Sequence, residues 1–239
     1  MGTLKRTCVG CPNMDAIELT GLAVVLIPSI TSHEAAHGFV ADRLGDPTAR
    51  SQGRLTLNPV PHIDPFFTIL LPGLLLLLGS PILFGGAKPV PVNVGRLRHP
   101  RRDWAVVGAA GPLTNLVIAI AFSIAVSILT IGLDVPSDAV VIEILSVGIY
   151  FNVLLCVFNL IPIPPLDGSR VLQYFLSGGA LAAYRRFEVY GLPVILALVL
   201  LFPPMQLLLM DGLRDVTIAV TAPFGTTAAV NAGFHALLG

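Results

Sequence analysis

Residues 17–40 read IELTGLAVVLIPSITSHEAAHGFV. A membrane span needs about 20 mostly apolar residues. This stretch has the length, and its first half has the composition. Its second half carries His33, Glu34 and His37 within a single helical turn. An ionisable group at bilayer depth costs roughly 2.5–3.5 kcal/mol on insertion scales, so three side by side call for a compensating purpose. The stretch is not a cleaved leader: its apolar part is too long, and His-Glu-His stands where a small-residue cleavage site would be expected. It places the chain among polytopic membrane proteins and directs attention to the few polar groups held inside the apolar segments.

Composition agrees. The chain has 239 residues, 54% of them hydrophobic and 12% charged, with a mean hydropathy of +0.84. Soluble domains carry about 25% charged residues. A disordered chain is excluded, and a soluble enzyme is disfavoured. Fourteen basic and fourteen acidic residues cancel, so no net basic field draws the protein to nucleic acid. Three cysteines cannot form a disulfide framework. Cys8 and Cys11 form a CxxC without the neighbouring βαβ pattern of a redox motif, and read as part of a terminal tail.

The expected fold class is an all-α polytopic membrane protein with five or six membrane segments, in a single integral-membrane domain over residues 1–239. A core at about 17–170 precedes C-terminal spans at about 185–239. The segments are 17–40, 66–84, 104–131, 139–161 and roughly 189–210. A weaker stretch, 216–238, holds Pro223, Gly225 and several threonines and reads as a sixth span or an interfacial helix. The loops 42–65 and 85–103 are rich in arginine, and Arg170, Arg185 and Arg186 follow the fourth segment. The short loop 132–138 has two aspartates and no basic residue. Basic loops stay cytoplasmic, so three loops point inward and the acidic one outward. Residues 66–84 then enter and leave on the same side. Pro72-Gly73, Gly79-Ser80-Pro81 and Gly85-Gly86 supply the breaks that a re-entrant segment needs. The alternative is an ordinary kinked span.

Two short membrane-associated β-strands are expected at 50–58 (RSQGRLTLN) and 88–94 (KPVPVNV). Pro89 and Pro91 are two apart, so their missing N–H groups fall on one edge of the second strand and block pairing there. Both strands are candidates to hold an unwound substrate by strand addition.

On a helix His33 and His37 stand at i and i+4, one turn apart on one face. Two imidazole nitrogens so placed reach one Zn²⁺ at about 2.0–2.1 Å. Glu34, beside the first ligand, reaches a water as general base without ligating the metal, as in zincins. A catalytic zinc normally takes three protein ligands, and Asp167 is the best third candidate. It follows Pro162, Pro164 and Pro165, which end the fourth segment, and precedes Gly168. The competing role for Asp167 is the N-cap of the next helix. Topology favours the ligand: an odd number of crossings lets His33, His37 and Asp167 meet at one depth near the inner face.

HEAAH in the first segment, AGPLTN (110–115) in a middle one and NLIPIPPLDG (159–168) closing another resemble the site-2 protease family of intramembrane zinc metalloproteases, peptidase family M50. The resemblance covers about residues 17–170. It implies a three-span catalytic core, one zinc ion on His33, His37 and Asp167, Glu34 as base, and an active site near the cytoplasmic side of the cell membrane. It also suggests that Asn159 stabilises the reacting carbonyl, for which interhelical bonding is the equal alternative. For Asn115, packing of small residues in the third segment is the better reading.

The function expected is regulated intramembrane proteolysis: a zinc metalloendopeptidase cutting in or near transmembrane segments of membrane-protein substrates. The partners are that substrate and the lipid bilayer, with no nucleic acid; the sequence leaves homo-oligomerisation open. The rival is a metal transporter or metal-binding membrane protein, since intramembrane His and Asp also mark ion paths. A transporter needs no base beside its ligands and usually shows repeated halves. Glu34 adjoins His33, and no repeat is visible.

Overall fold

A computed structural model describes residues 16–65, 70, 74 and 87–238. Every regular element among them is helical. α1 (Ala16–Arg43) contains the whole HEAAH stretch and tolerates Pro28 in its interior. The one-turn α2 (Thr48–Ser51) follows. α3 (Pro100–Ser127) opens with Pro at its first position, where no intrahelical N–H bond is lost. The Asp103 carboxylate accepts the His99 N–H at 2.8 Å, placing negative charge at the helix start. A π-helical turn, Ile128–Gly132, closes it. α4 (Val140–Asn159) ends where the proline run begins. Then come α5 (Asp167–Phe175), α6 (Gly178–Phe187), α7 (Gly191–Leu201), α8 (Pro203–Thr221) and α9 (Thr227–Leu238).

α1, α3 and α4 pack against one another pairwise, and α3 also holds α5. The main apolar core lies away from the polar end of α1. It joins Ala119 and Val126 of α3 to Ile142, Ile149 and Val153 of α4, Val220 of α8 and Val230 of α9. The three-helix unit is thus clamped on its C-terminal side, and its other face carries the ionisable groups.

Among the described residues two helices are long and apolar enough to cross a membrane: α3 with its π turn (Pro100–Gly132) and α4. A third crossing exists if 178–199 and 203–224, bent by 85°, form one broken span. The described residues thus account for two or three of the five or six expected spans. α1 has 28 residues, about 42 Å at 1.5 Å per residue, and its apolar first half runs into the ionisable HEAAH turn. The fifth segment is split at Phe202, because Pro203 starts a new helix. The sixth is split by a 3₁₀ turn ending at Gly225, whose φ of 67° stops the helix. The remaining α9 has 12 residues, about 18 Å, too short for a hydrocarbon core of about 30 Å. The proposed re-entrant segment 66–84 lies outside the described residues apart from 70 and 74, as do Cys8 and Cys11.

Neither expected strand forms among the described residues. Arg50 and Ser51 end α2, and Gly53 turns the chain with φ 65°. In 88–94 the backbone is bonded to loops and side chains instead of a ladder. Lys88 N–H donates to the His62 carbonyl at 2.8 Å. Val90 N–H donates to Glu34 Oε2 at 3.0 Å and Asn93 N–H to Asp46 Oδ2 at 2.5 Å. The Lys88 and Pro89 carbonyls accept from Arg54 Nη2 at 2.8 and 3.3 Å. The segment is a strap pinned across α1.

Candidate metal centre

The polar end of α1 meets α3 and the start of α5 in one buried cluster. His33 Nε2 and His37 Nε2 lie 3.1 and 3.2 Å from Asp167 Oδ2 and 3.3 Å from each other. All three residues are buried, and they form a group with the spacing a metal ion requires. Ligand atoms around a tetrahedral zinc at about 2.0–2.1 Å lie about 3.3–3.4 Å apart. The triangle matches that edge closely, and two imidazoles with one carboxylate are a donor set suited to zinc.

The surroundings orient each donor. His33 Nδ1 bonds Asn115 Oδ1 at 2.5 Å, and His37 Nδ1 bonds the Val107 carbonyl at 2.7 Å. Both partners are acceptors, so each ring carries its proton on Nδ1 and turns the Nε2 lone pair into the cluster. Arg170 Nη1 holds Asp167 Oδ1 at 3.0 Å and leaves Oδ2 to the imidazoles. The Arg170 guanidinium rests on Trp104, 4.6 Å from the ring centroid. The Arg170 guanidinium at Oδ1 favours the ionised form of the Asp167 carboxyl.

Glycines let the elements approach. A Cβ on Gly111 of α3 would stand 2.6 Å from His33 Nε2 and 2.6 Å from His37 Nε2. One on Gly108, a turn earlier, would meet Arg170 Cβ at 2.8 Å and the Asp167 carbonyl at 2.9 Å. α3 is thus a backbone wall against which α1 and α5 press the candidate ligands. Gly168 does the same on the far side: its Cβ would fall 2.2 Å from the Leu160 carbonyl oxygen. The proline-rich turn folds α5 directly back on the end of α4 and so places Asp167.

Glu34 is half-buried beside the cluster, with Oε2 fixed by Val90 N–H. The structure thus brings His33, His37, Asp167 and Glu34 together. It sets Asn159 otherwise: the amide donates to Leu155 O of its own helix at 2.9 Å, and no bond among the described residues joins it to the three ligand atoms. Asn115, assigned to packing from the sequence, instead bonds a candidate ligand. Asn152 behind it, and the backbone partners of His37 and Glu34, went unread. Asn152 carried a signal: an amide inside an apolar helix is costly unless it is used.

Residues 127–202 match the family model described as Peptidase family M50. Over 180 residues the chain is 41% identical to a Bacillus subtilis protein named "Putative zinc metalloprotease YwhC", covering 74% of this chain and 78% of that one. It is 31% identical over 176 residues to the Mycolicibacterium smegmatis protein named "Putative zinc metalloprotease Rip2", with 72% and 63% covered. With the Rip2 of Mycobacterium tuberculosis strain H37Rv the identity is 33% over 209 residues, with 82% and 78% covered. No solved structure matches the chain.

Proposed function

Because this chain belongs to peptidase family M50, the site-2 protease family, and is a zinc metalloendopeptidase of the membrane, we propose that it cuts peptide bonds in or near transmembrane segments of membrane-protein substrates. The ligands are His33, His37 and Asp167; the base is Glu34. The observation that carries the assignment is the triangle of donor atoms at 3.1, 3.2 and 3.3 Å with a carboxylate from the same helix turn beside it.

Bound zinc supplies Lewis-acid polarisation of the attacking water and the scissile carbonyl. The chain's own groups do the rest. Val90 N–H engages Glu34 Oε2 and leaves Oε1 the freer oxygen to take the water's proton and later return it to the leaving amine. Asn159 gives one amide N–H to Leu155 and keeps a second, the candidate donor to the oxyanion. A substrate helix must unwind before its carbonyl is accessible. In the strap Pro89 and Pro91 have no N–H, and those of Lys88, Val90 and Asn93 are engaged. Val92 N–H, like that of Val94, takes no partner among the described residues; two residues from Val90, it is the group offered to an unwound peptide beside Glu34.

The arginine-rich loops before α3 and after α4 support a site near the cytoplasmic side of a multi-pass cell-membrane protein. Residues 1–239 form one integral-membrane domain.

Metal analysis of the purified protein beside Glu34→Gln tests the reading. The variant retains zinc and no longer cleaves a model single-span substrate. Cleavage at full rate by the variant would refute the mechanism.

A further inference from the structure

Behind His33, away from the other two ligands, four side chains from three helices form a hydrogen-bond chain whose direction is fixed. Its starting point is a backbone carbonyl, which can only accept. Ser29 Oγ donates to Val25 O at 2.7 Å, which uses its single proton. Ser29 Oγ then accepts from Asn152 Nδ2 at 2.9 Å. The same nitrogen donates to Gly148 O at 2.8 Å. Two contacts therefore demand the amide nitrogen of Asn152 on that side, and its oxygen must face the other way. There Asn152 Oδ1 accepts from Asn115 Nδ2 at 2.8 Å, which turns Asn115 Oδ1 toward His33 Nδ1 at 2.5 Å. An oxygen at that distance requires a proton on Nδ1. Reversing either amide would set two acceptors face to face, and Asn115, Asn152 and Ser29 are all buried, where an unmatched pair is most costly.

We propose that Asn115, Asn152 and Ser29 are positioning residues that fix the tautomer of His33 and thereby set the zinc affinity of the centre. The inference rests on the reading of His33 as a ligand and extends it: the polarity of that ligand is dictated from α4 and from the first half of α1. His37 obtains the same tautomer through one bond to the Val107 carbonyl. The two ligands are therefore unequal. One is set by backbone and does not depend on side chains; the other depends on a relay that substitution can cut.

The test is zinc affinity of the full-length, detergent-solubilised chain, measured by competition with a chromophoric chelator. Asn115→Ala and Asn152→Ala each lower the affinity about 10–100-fold, the usual effect of removing a ligand's outer partner. The double variant is no weaker than Asn115→Ala alone, because the relay is already cut. Losses that multiply would mark two independent packing defects and overturn the proposal. Ser29→Ala has a smaller effect, since Gly148 O still orients Asn152. It also keeps the test alive if Asn115→Ala does not fold. Ser123→Ala removes a buried hydroxyl that, among the described residues, bonds Ala119 O of its own helix alone, and leaves affinity unchanged. In the zinc-free protein with ¹⁵N-labelled histidine, Asn152→Ala shifts the His33 ring nitrogens toward a tautomer mixture and leaves those of His37 in place. An unmoved His33 signal would overturn the proposal. Loss of zinc in His33→Ala with unchanged affinity in the asparagine variants would refute the relay alone. Full zinc retention in His33→Ala would instead refute the metal-centre reading.

Discussion

Gly111→Ala separates the stability of α3 from the integrity of the metal centre. Gly111 is buried in the middle of a helix of 28 residues. By helix propensity alone, alanine there is favourable by about 0.8–1.0 kcal/mol. The added methyl would nevertheless stand 2.6 Å from His33 Cε1, His33 Nε2 and His37 Nε2, where ordinary contact begins at 3.4 Å. The imidazoles would have to withdraw by about 0.8 Å, the difference of those two distances. Neither can do so freely, because each is tied at Nδ1 to α3 itself, through Asn115 and Val107. Zinc–ligand distances tolerate about 0.2 Å. Overpacking of this kind costs about 1–3 kcal/mol; the zinc-free protein escapes it by moving the imidazoles outward, and zinc must draw them back against it, which at about 1.4 kcal/mol per factor of ten is a roughly 5- to 150-fold loss of zinc affinity. The assay is chelator competition, run beside circular dichroism and the thermal midpoint of the zinc-free protein. The expected result is a loss of affinity with helical content intact. Gly212→Ala in α8 is the control: its nearest neighbour, Val157 Cγ1, is at 3.4 Å, so affinity stays at the wild-type value. Undiminished zinc binding and turnover in Gly111→Ala would show that α3 does not wall the ligands as described.

Other perturbations read other parts of the same assembly. Asp167→Ala removes a donor atom and leaves Arg170 facing the imidazoles, so it lowers zinc retention by more than the roughly 10–100-fold expected for loss of an outer partner; dialysis against chelator with metal analysis measures it. Gly168→Ala sets a methyl 2.2 Å from a backbone oxygen that cannot swing aside. It weakens zinc binding through displacement of Asp167 and lowers the thermal midpoint as well, which distinguishes it from Gly111→Ala. Val92→Pro deletes the strap N–H left for a substrate while sparing the bonds of Val90 and Asn93. Cleavage of a single-span substrate falls with zinc content unchanged, and an unchanged cleavage rate would remove the strap from substrate binding.

Legibility in the sequence followed the range of the interaction. His33, Glu34 and His37 could be read because one helical turn fixes their relation and because three ionisable groups in an apolar run need a purpose. Asp167 could be read because the prolines that end α4 and the glycine that follows it leave few places for the chain to go. The Asn115–Asn152 contact could not, since it depends on which faces of α3 and α4 meet, and an asparagine inside a helix fits glue between helices as well as orientation of a ligand. The strands failed for a reason that propensity does not contain. Valine and proline in 88–94 suit an extended edge, yet the donors a ladder would need are engaged by Glu34 and Asp46, and Arg54 holds two of the carbonyls. The same residue pattern thus serves a different end. Between Pro89 and Pro91 the lone N–H of Val90 is aimed at Glu34, the proposed base, and this strap couples its position to whatever lies along Val92. A segment that reads as a strand on its own becomes, once α1 is beside it, part of the catalytic apparatus proposed for this chain.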